Sequence, residues 1–236
     1  MKANAHTRAV CRLALTCGIM AASIGTGLSQ QSDIPRGTLG VDRDLVRVGS
    51  RSSLNWNIEY PAAIIDIVEV NPTGTIKPKK NLKMRVRVLG VAFQSGQTLL
   101  PIDASWSLNS GSWSSFFYGT STAVNSSSVL IDRNVRKDDR IDFGARGWSG
   151  NGWLPFNHTR QTTQYVTVLG KGSSAPSYAP AYNQGSVTSF LRPYIDNRGK
   201  INIGDRDLII LWEASTARPG TTFFDMQDLV VLVSFE

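Results

Sequence analysis

Apolar and polar residues alternate with period two through much of this chain, and that spacing predicts strands. Leu54, Trp56, Ile58 and Tyr60 alternate with Asn55, Asn57 and Glu59, which puts one apolar face on a strand directed at the core. Leu82, Met84, Val86 and Val88 repeat the pattern, with Lys83, Arg85 and Arg87 on the opposite face. Trp106 and Leu108 alternate with serines and run into Asn109-Ser110-Gly111-Ser112, a hairpin turn leading to Trp113. Ile141, Phe143 and Ala145 form another short alternating run, and Val166, Val168 and Leu169 lie in a stretch of high strand propensity. Ile209–Trp212 and Leu229–Val233 are apolar on both faces, as expected of strands central in a sheet and covered on each side. Gly, Ser, Asn and Pro punctuate these runs at the intervals of sandwiches.

One segment has helical spacing. Ser186 stands where an N-cap belongs, Val187, Phe190 and Leu191 fall at i, i+3 and i+4, and Pro193 ends the run, giving a short helix near 186–192. The expected fold is therefore all-β, an antiparallel β-sandwich of immunoglobulin-like or jelly-roll-like type. Residues 171–185 are rich in Ser, Pro, Ala and Gly and read as a linker or long loop. The favoured organisation is one domain over 30–236. The alternative is a sandwich over 36–170, a linker over 171–185 and a small subdomain over 186–236.

The first 29 residues change the picture of location. Lys2, Arg8 and Arg12 precede the apolar run Leu13–Ile24, and small residues follow up to Ser29. That order is the order of a cleavable secretory signal, and the run is too short to span a bilayer. Both cysteines, Cys11 and Cys17, lie inside it, so the processed chain is expected to have no thiol and no disulfide. Three of the 25 basic residues leave as well, so 22 stand against 18 acidic ones, a balance of +4. Such a modest charge does not by itself point to nucleic acid. Export, to the periplasm or outside the cell, follows as the expectation.

The run Val41-Asp42-Arg43-Asp44-Leu45-Val46-Arg47-Val48-Gly49, followed by Leu54-Asn55-Trp56-Asn57-Ile58, resembles the opening of bacterial immunoglobulin-like modules. There a first strand ends in a Val-x-Gly-type turn and a second carries alternating core residues. The resemblance covers residues 41–58 and departs from the antibody-type pattern in lacking cysteines. It implies a β-sandwich used for adhesion, spacing or binding, and no catalytic residue.

Catalytic equipment is sparse. His158 is the single histidine left after the signal, and no G-x-S-x-G motif accompanies it. The four glutamates are Glu59, Glu69, Glu213 and Glu236; Glu213, directly after an apolar strand, is read either as partly buried or, as strand-end glutamates more often are, as facing water. No catalytic residue and no cofactor is assigned, and a hydrolase using aspartates that cannot be singled out is the enzymatic alternative. Asp196, Asp205 and Asp207 supply oxygen donors for calcium. Yet Arg198 and Lys200 occupy the alternating positions after Asp196, where cations would repel a metal, so no metal site is assigned.

Two features suggest binding. Lys83, Arg85 and Arg87 form one row on a strand face, suited to a polyanion or to the solvated face of an edge strand. Trp148-Ser149-Gly150-Asn151-Gly152-Trp153 sets two indoles in a Gly/Asn-rich loop, suited to stacking on a sugar with Asn151 beside them, or to capping the end of the sandwich. Trp56 and Trp212 are expected to be structural. The expected role is non-catalytic, binding polysaccharide or another envelope component or serving as a structural part of the envelope. A self-assembling surface protein is the alternative, with Leu229–Phe235 pairing between chains if left exposed.

Overall fold

A computed structural model of the chain describes residues 36–41, 54–59, 62–178 and 186–236. The segment read as a secretory signal and the turn region 42–53 lie outside them, as do residues 179–185 of the Ser/Pro-rich stretch. The fold is all-β and sandwich-like, with antiparallel sheets throughout.

Arg36–Val41 (β1) and Leu54–Glu59 (β2) form a hairpin of their own. A single helical turn, Ile64–Ile67 (α1), follows. The first large sheet contains Val68–Val70 (β3), Ile76–Pro78 (β4), Ile102–Leu108 (β8), Ser114–Gly119 (β9), Ile141–Gly147 (β11) and Asn157–His158 (β12). Its order is β3-β4-β11-β8-β9, with β12 beside β11. The second contains Leu82–Val91 (β5), Ile131–Val135 (β10), Val166–Gly170 (β13), Asp207–Trp212 (β14) and Leu229–Phe235 (β15), in the order β10-β5-β15-β14-β13. Gln94–Ser95 (β6) and Thr98–Leu99 (β7) make a small separate hairpin.

Period two explains how the layers stack. Ile102, Ala104, Ile141, Phe143 and Ala145 of the first sheet share one core with Met84, Val86, Val88, Leu208, Ile210, Trp212, Val231 and Val233 of the second. The intervening residues Ile209, Leu211, Val230 and Leu232 point the other way, into a second core. That core is closed by Val187 and Leu191 of the short helix Val187–Leu191 (α2), and by Ile201, Ile203, Phe224 and Met226. The doubly apolar strands are thus covered on both faces because the chain lays a third layer over the second sheet. Gly90 of β5 leaves room for it, since a Cβ there would stand 2.6 Å from the Phe190 ring. Residues 172–175 run along 199–201 in the same layer, through Gly172 N–H to the Ile201 carbonyl at 2.8 Å and Ala175 N–H to that of Gly199 at 2.9 Å.

Three expectations change. β2 forms as predicted, but its apolar face is not core: Trp56 is 69% exposed, and Leu39, opposite it on β1, 49%. The hairpin pairs with neither large sheet, so its alternation has no sheet to bury against. Ser186 takes the N-cap position, yet its hydroxyl lies 3.3 Å from that of Ser189 and caps no backbone N–H. Leu229–Phe235 is the middle strand of its sheet, hydrogen-bonded on both edges and buried along almost its whole length, so it offers no edge to another chain.

Candidate functional site

The outer face of the first sheet carries the most concentrated chemistry. On β8 the residues facing away from the core are Asp103, Ser105 and Ser107, and on β11 they are Asp142, Gly144 and Arg146. The register sets Arg146 opposite Asp103, and Asp103 opposite Tyr118 of β9, so these three form one cross-strand row. Asp103 accepts from Arg146 Nε at 3.2 Å and Nη2 at 3.0 Å, and from the Ser115 hydroxyl at 2.8 Å.

The tryptophan loop folds back over this row. Trp148 and Trp153 bridge as an antiparallel pair, with Ser149 N–H on the Gly152 carbonyl at 3.0 Å. Gly150, at φ 95°, supplies the left-handed conformation that this tight hairpin needs at its first central position. Residues opposite each other in an antiparallel pair share a face, so the two indoles meet edge to face at 5.4 Å. The Arg146 guanidinium lies 4.4 Å over the Trp153 ring, and Tyr118 stands 6.2 Å away on its edge. Trp148 is half-buried, whereas Trp153 and Tyr118 are 39% and 64% exposed. Asn151 is exposed at the tip, its N–H 3.4 Å from the Ser149 hydroxyl. Gly147, just before Trp148, leaves room on the core side for Phe93: a Cβ there would fall 2.3 Å from that ring.

A second aromatic group lies on the same face of the sheet. Trp113 meets Phe156 at 4.9 Å and His158 at 5.3 Å, with the Arg160 guanidinium 4.4 Å over its ring. His158 Nδ1 accepts the Arg160 N–H at 3.2 Å. Burial, aided by the charge of Arg160, pushes the His158 pKa down, so the imidazole is neutral at pH 7. The adjacent carboxylate, Asp142, bonds to Thr75, Thr159 and Arg160 and serves as an anchor for the fold.

Two of the three residues of the basic row are engaged. Lys83 pairs with Asp132 at 2.9 Å, and Arg85 with Asp132 at 3.2 Å and Glu236 at 2.5 Å. Hydrogen bonds from Lys83 and Arg85 hold the Asp132 carboxyl below the usual carboxylate range. Lys83 and Arg85 therefore present little uncompensated charge, because β10 and Glu236 bring carboxylates to them, while Arg87, the third of the row, takes part in none of these pairs.

The three aspartates weighed for calcium do other work. Asp196 accepts the N–H groups of Arg198 at 2.8 Å and Lys200 at 2.9 Å, an Asx-type turn that lowers its pKa. Asp205 pairs with Lys171 at 2.7 Å, and Asp207 accepts the Gly204 N–H at 3.2 Å. Among the described residues no three His, Cys, Asp or Glu side chains converge on a point that would hold a metal ion. Glu213 is buried rather than facing water, because its carboxylate accepts backbone N–H groups from Ser215, Asp225 and Met226.

Of the residues singled out from sequence, Trp148, Trp153 and Asn151 come together in one hairpin. Tyr118, Asp103 and Arg146 join them only through the sheet register, which no local pattern displays. Compared with protein-family models, curated proteins and solved structures, the chain matches none.

Proposed function

We propose that this is an exported, non-catalytic protein of the cell envelope or extracellular space that binds carbohydrate through the outer face of its first sheet. The observation that carries this reading is the convergence of Trp148, Trp153 and Tyr118 on the Arg146–Asp103 row. Exposed aromatic faces suit the C–H surface of a pyranose, and a paired Arg–Asp row offers both donors and acceptors to its hydroxyls. Because Arg146 is already neutralised by Asp103, the row favours a neutral glycan over an acidic one.

A glycan array probed with the processed chain is expected to show binding to neutral polysaccharide. Trp153→Ala and Tyr118→Ala are each expected to weaken it by at least about tenfold, as for central aromatic contacts. Binding should change little between low and high salt, since no exposed unpaired charge drives it. Unchanged binding in both variants would reject the site, and steep salt dependence would favour a polyanion.

Export has its own measurement. Amino-terminal sequencing of the protein recovered from the medium or periplasm of an expressing bacterium is expected to begin at Gln30. Recovery of the uncleaved chain in the cytoplasm would overturn that part of the proposal.

A further inference from the structure

β14 and β15 end their pairing at Trp212 opposite Leu229, so the register carried one step further sets Glu213 opposite Asp228. Like charges placed directly opposite on an antiparallel pair repel. Here both are buried, at 1% and 6% exposure, with Asp225 beside them at 3%. Each carboxylate is tied to the other end of the connection. Asp228 accepts the Ala214 N–H at 2.7 Å, and Glu213 accepts those of Asp225 at 2.9 Å and Met226 at 3.3 Å. Fully buried Gln227 donates to Asp225 at 2.7 Å, while its own amide oxygen has no hydrogen-bond partner. Glu213 is served further by the Ser215 N–H at 3.2 Å and the Ser215 hydroxyl, while the Ala214 N–H is the one donor given to Asp228 among the described residues, so the donor wanting between the two opposed carboxyls is one that a proton supplies.

We propose that the connection over residues 213–228 is closed by a proton held between Asp228 and Glu213, and that it loosens as rising pH removes that proton. Burial, then the charges of Glu213 and Asp225, hold the Asp228 carboxyl well above the usual range, and in its protonated form it donates to Glu213. Among the described residues, the neighbouring elements bring no compensating charge to Glu213 or Asp228. Ala92, just past β5, donates its N–H to the Asp228 carbonyl, the Asn157 amide approaches the Glu213 carbonyl, and the Tyr165 carbonyl accepts the Glu213 N–H. No lysine or arginine among the described residues forms an ion pair with Glu213 or Asp228. The connection carries Phe224 and Met226 into the second core, where Phe224 packs on Tyr165 and Tyr178, both at 5.6 Å. Loosening it would uncover those rings.

The direction of the pH effect follows from the raised value. The folded chain keeps a proton that the unfolded chain gives up above its ordinary value of 3.8. The stabilisation is complete below that pH and is lost as pH rises through the folded-state value. Across that window the folding equilibrium constant is expected to fall by up to about tenfold per pH unit.

The test is hydrogen–deuterium exchange of the full chain at pH 5 and pH 8, corrected for intrinsic rates, beside urea midpoints over the same range. Peptides covering 213–228 should lose protection at pH 8 while β11 keeps its own. Asp228→Asn, whose amide donates at every pH, should flatten both dependences, and Glu213→Gln provides a second variant should the first fail to fold. Equal protection of 213–228 at the two pH values in the unaltered chain would overturn the proposal. So would calcium chloride restoring protection at pH 8, which would assign the cluster to a cation instead.

Discussion

Asp142→Ala is expected to destabilise the fold by about 3–5 kcal/mol, the cost of leaving one partner of a buried ion pair without the other. Asp142 is fully buried, and its carboxylate accepts from the Thr75 hydroxyl at 2.6 Å, the Thr159 hydroxyl at 3.2 Å and Arg160 Nε at 2.8 Å. Thr159 in turn accepts the Phe143 N–H at 3.1 Å, and Arg160 reaches Ser107 and the Gly111 carbonyl. Alanine would leave two buried hydroxyls without their acceptor and the part-buried Arg160 guanidinium without its partner. Asp142 ties β11, which also carries Arg146, to Thr75 and to the segment after β12, so glycan binding should fall together with the urea midpoint. The double variant Asp142→Leu/Arg160→Met removes both charges and should regain most of the loss, because a buried pair as a whole adds little over apolar packing. If Asp142→Ala left the urea midpoint unchanged, the network would not anchor the fold.

Trp212→Ala is expected to cost a similar amount, about 3–5 kcal/mol, through a cavity at the centre of the first core. For a domain of this size that lowers the melting temperature by on the order of 10 °C, which calorimetry measures directly. Trp212 is 1% exposed, pairs with Val166 on one side and Leu229 on the other, and donates from Nε1 to the Asn157 carbonyl at 3.3 Å. That bond joins the second sheet to β12 of the first, so Trp212→Phe should show a smaller loss from the missing N–H. An alanine variant with an unchanged melting temperature would mean that the two sheets do not depend on this side chain.

The amino-acid pattern alone was enough for the class of fold and for most of its strands, because strand period and side-chain polarity are local properties. Leu82–Val88, Ile141–Ala145 and the two doubly apolar strands were legible for that reason, and so was the helix ended by Pro193. The pairing of Trp148 with Trp153 in a turn around Gly150 was nearly as local. Burial of β2 was not legible: alternation says which face is apolar, but whether another layer covers it depends on distant chain, and none of the described chain covers Trp56. Neutralisation of Lys83 and Arg85 was hidden for the same reason, since Asp132 and Glu236 reach them from 47 and 151 residues away. Tertiary structure alone decided the candidate surface, because a cross-strand row is set by register between β9, β8 and β11 and not by sequence neighbours. It also decided the buried Glu213–Asp228 pair. In sequence these are two ordinary acids fifteen residues apart, and only the return of β15 beside β14 sets them at opposed, buried positions.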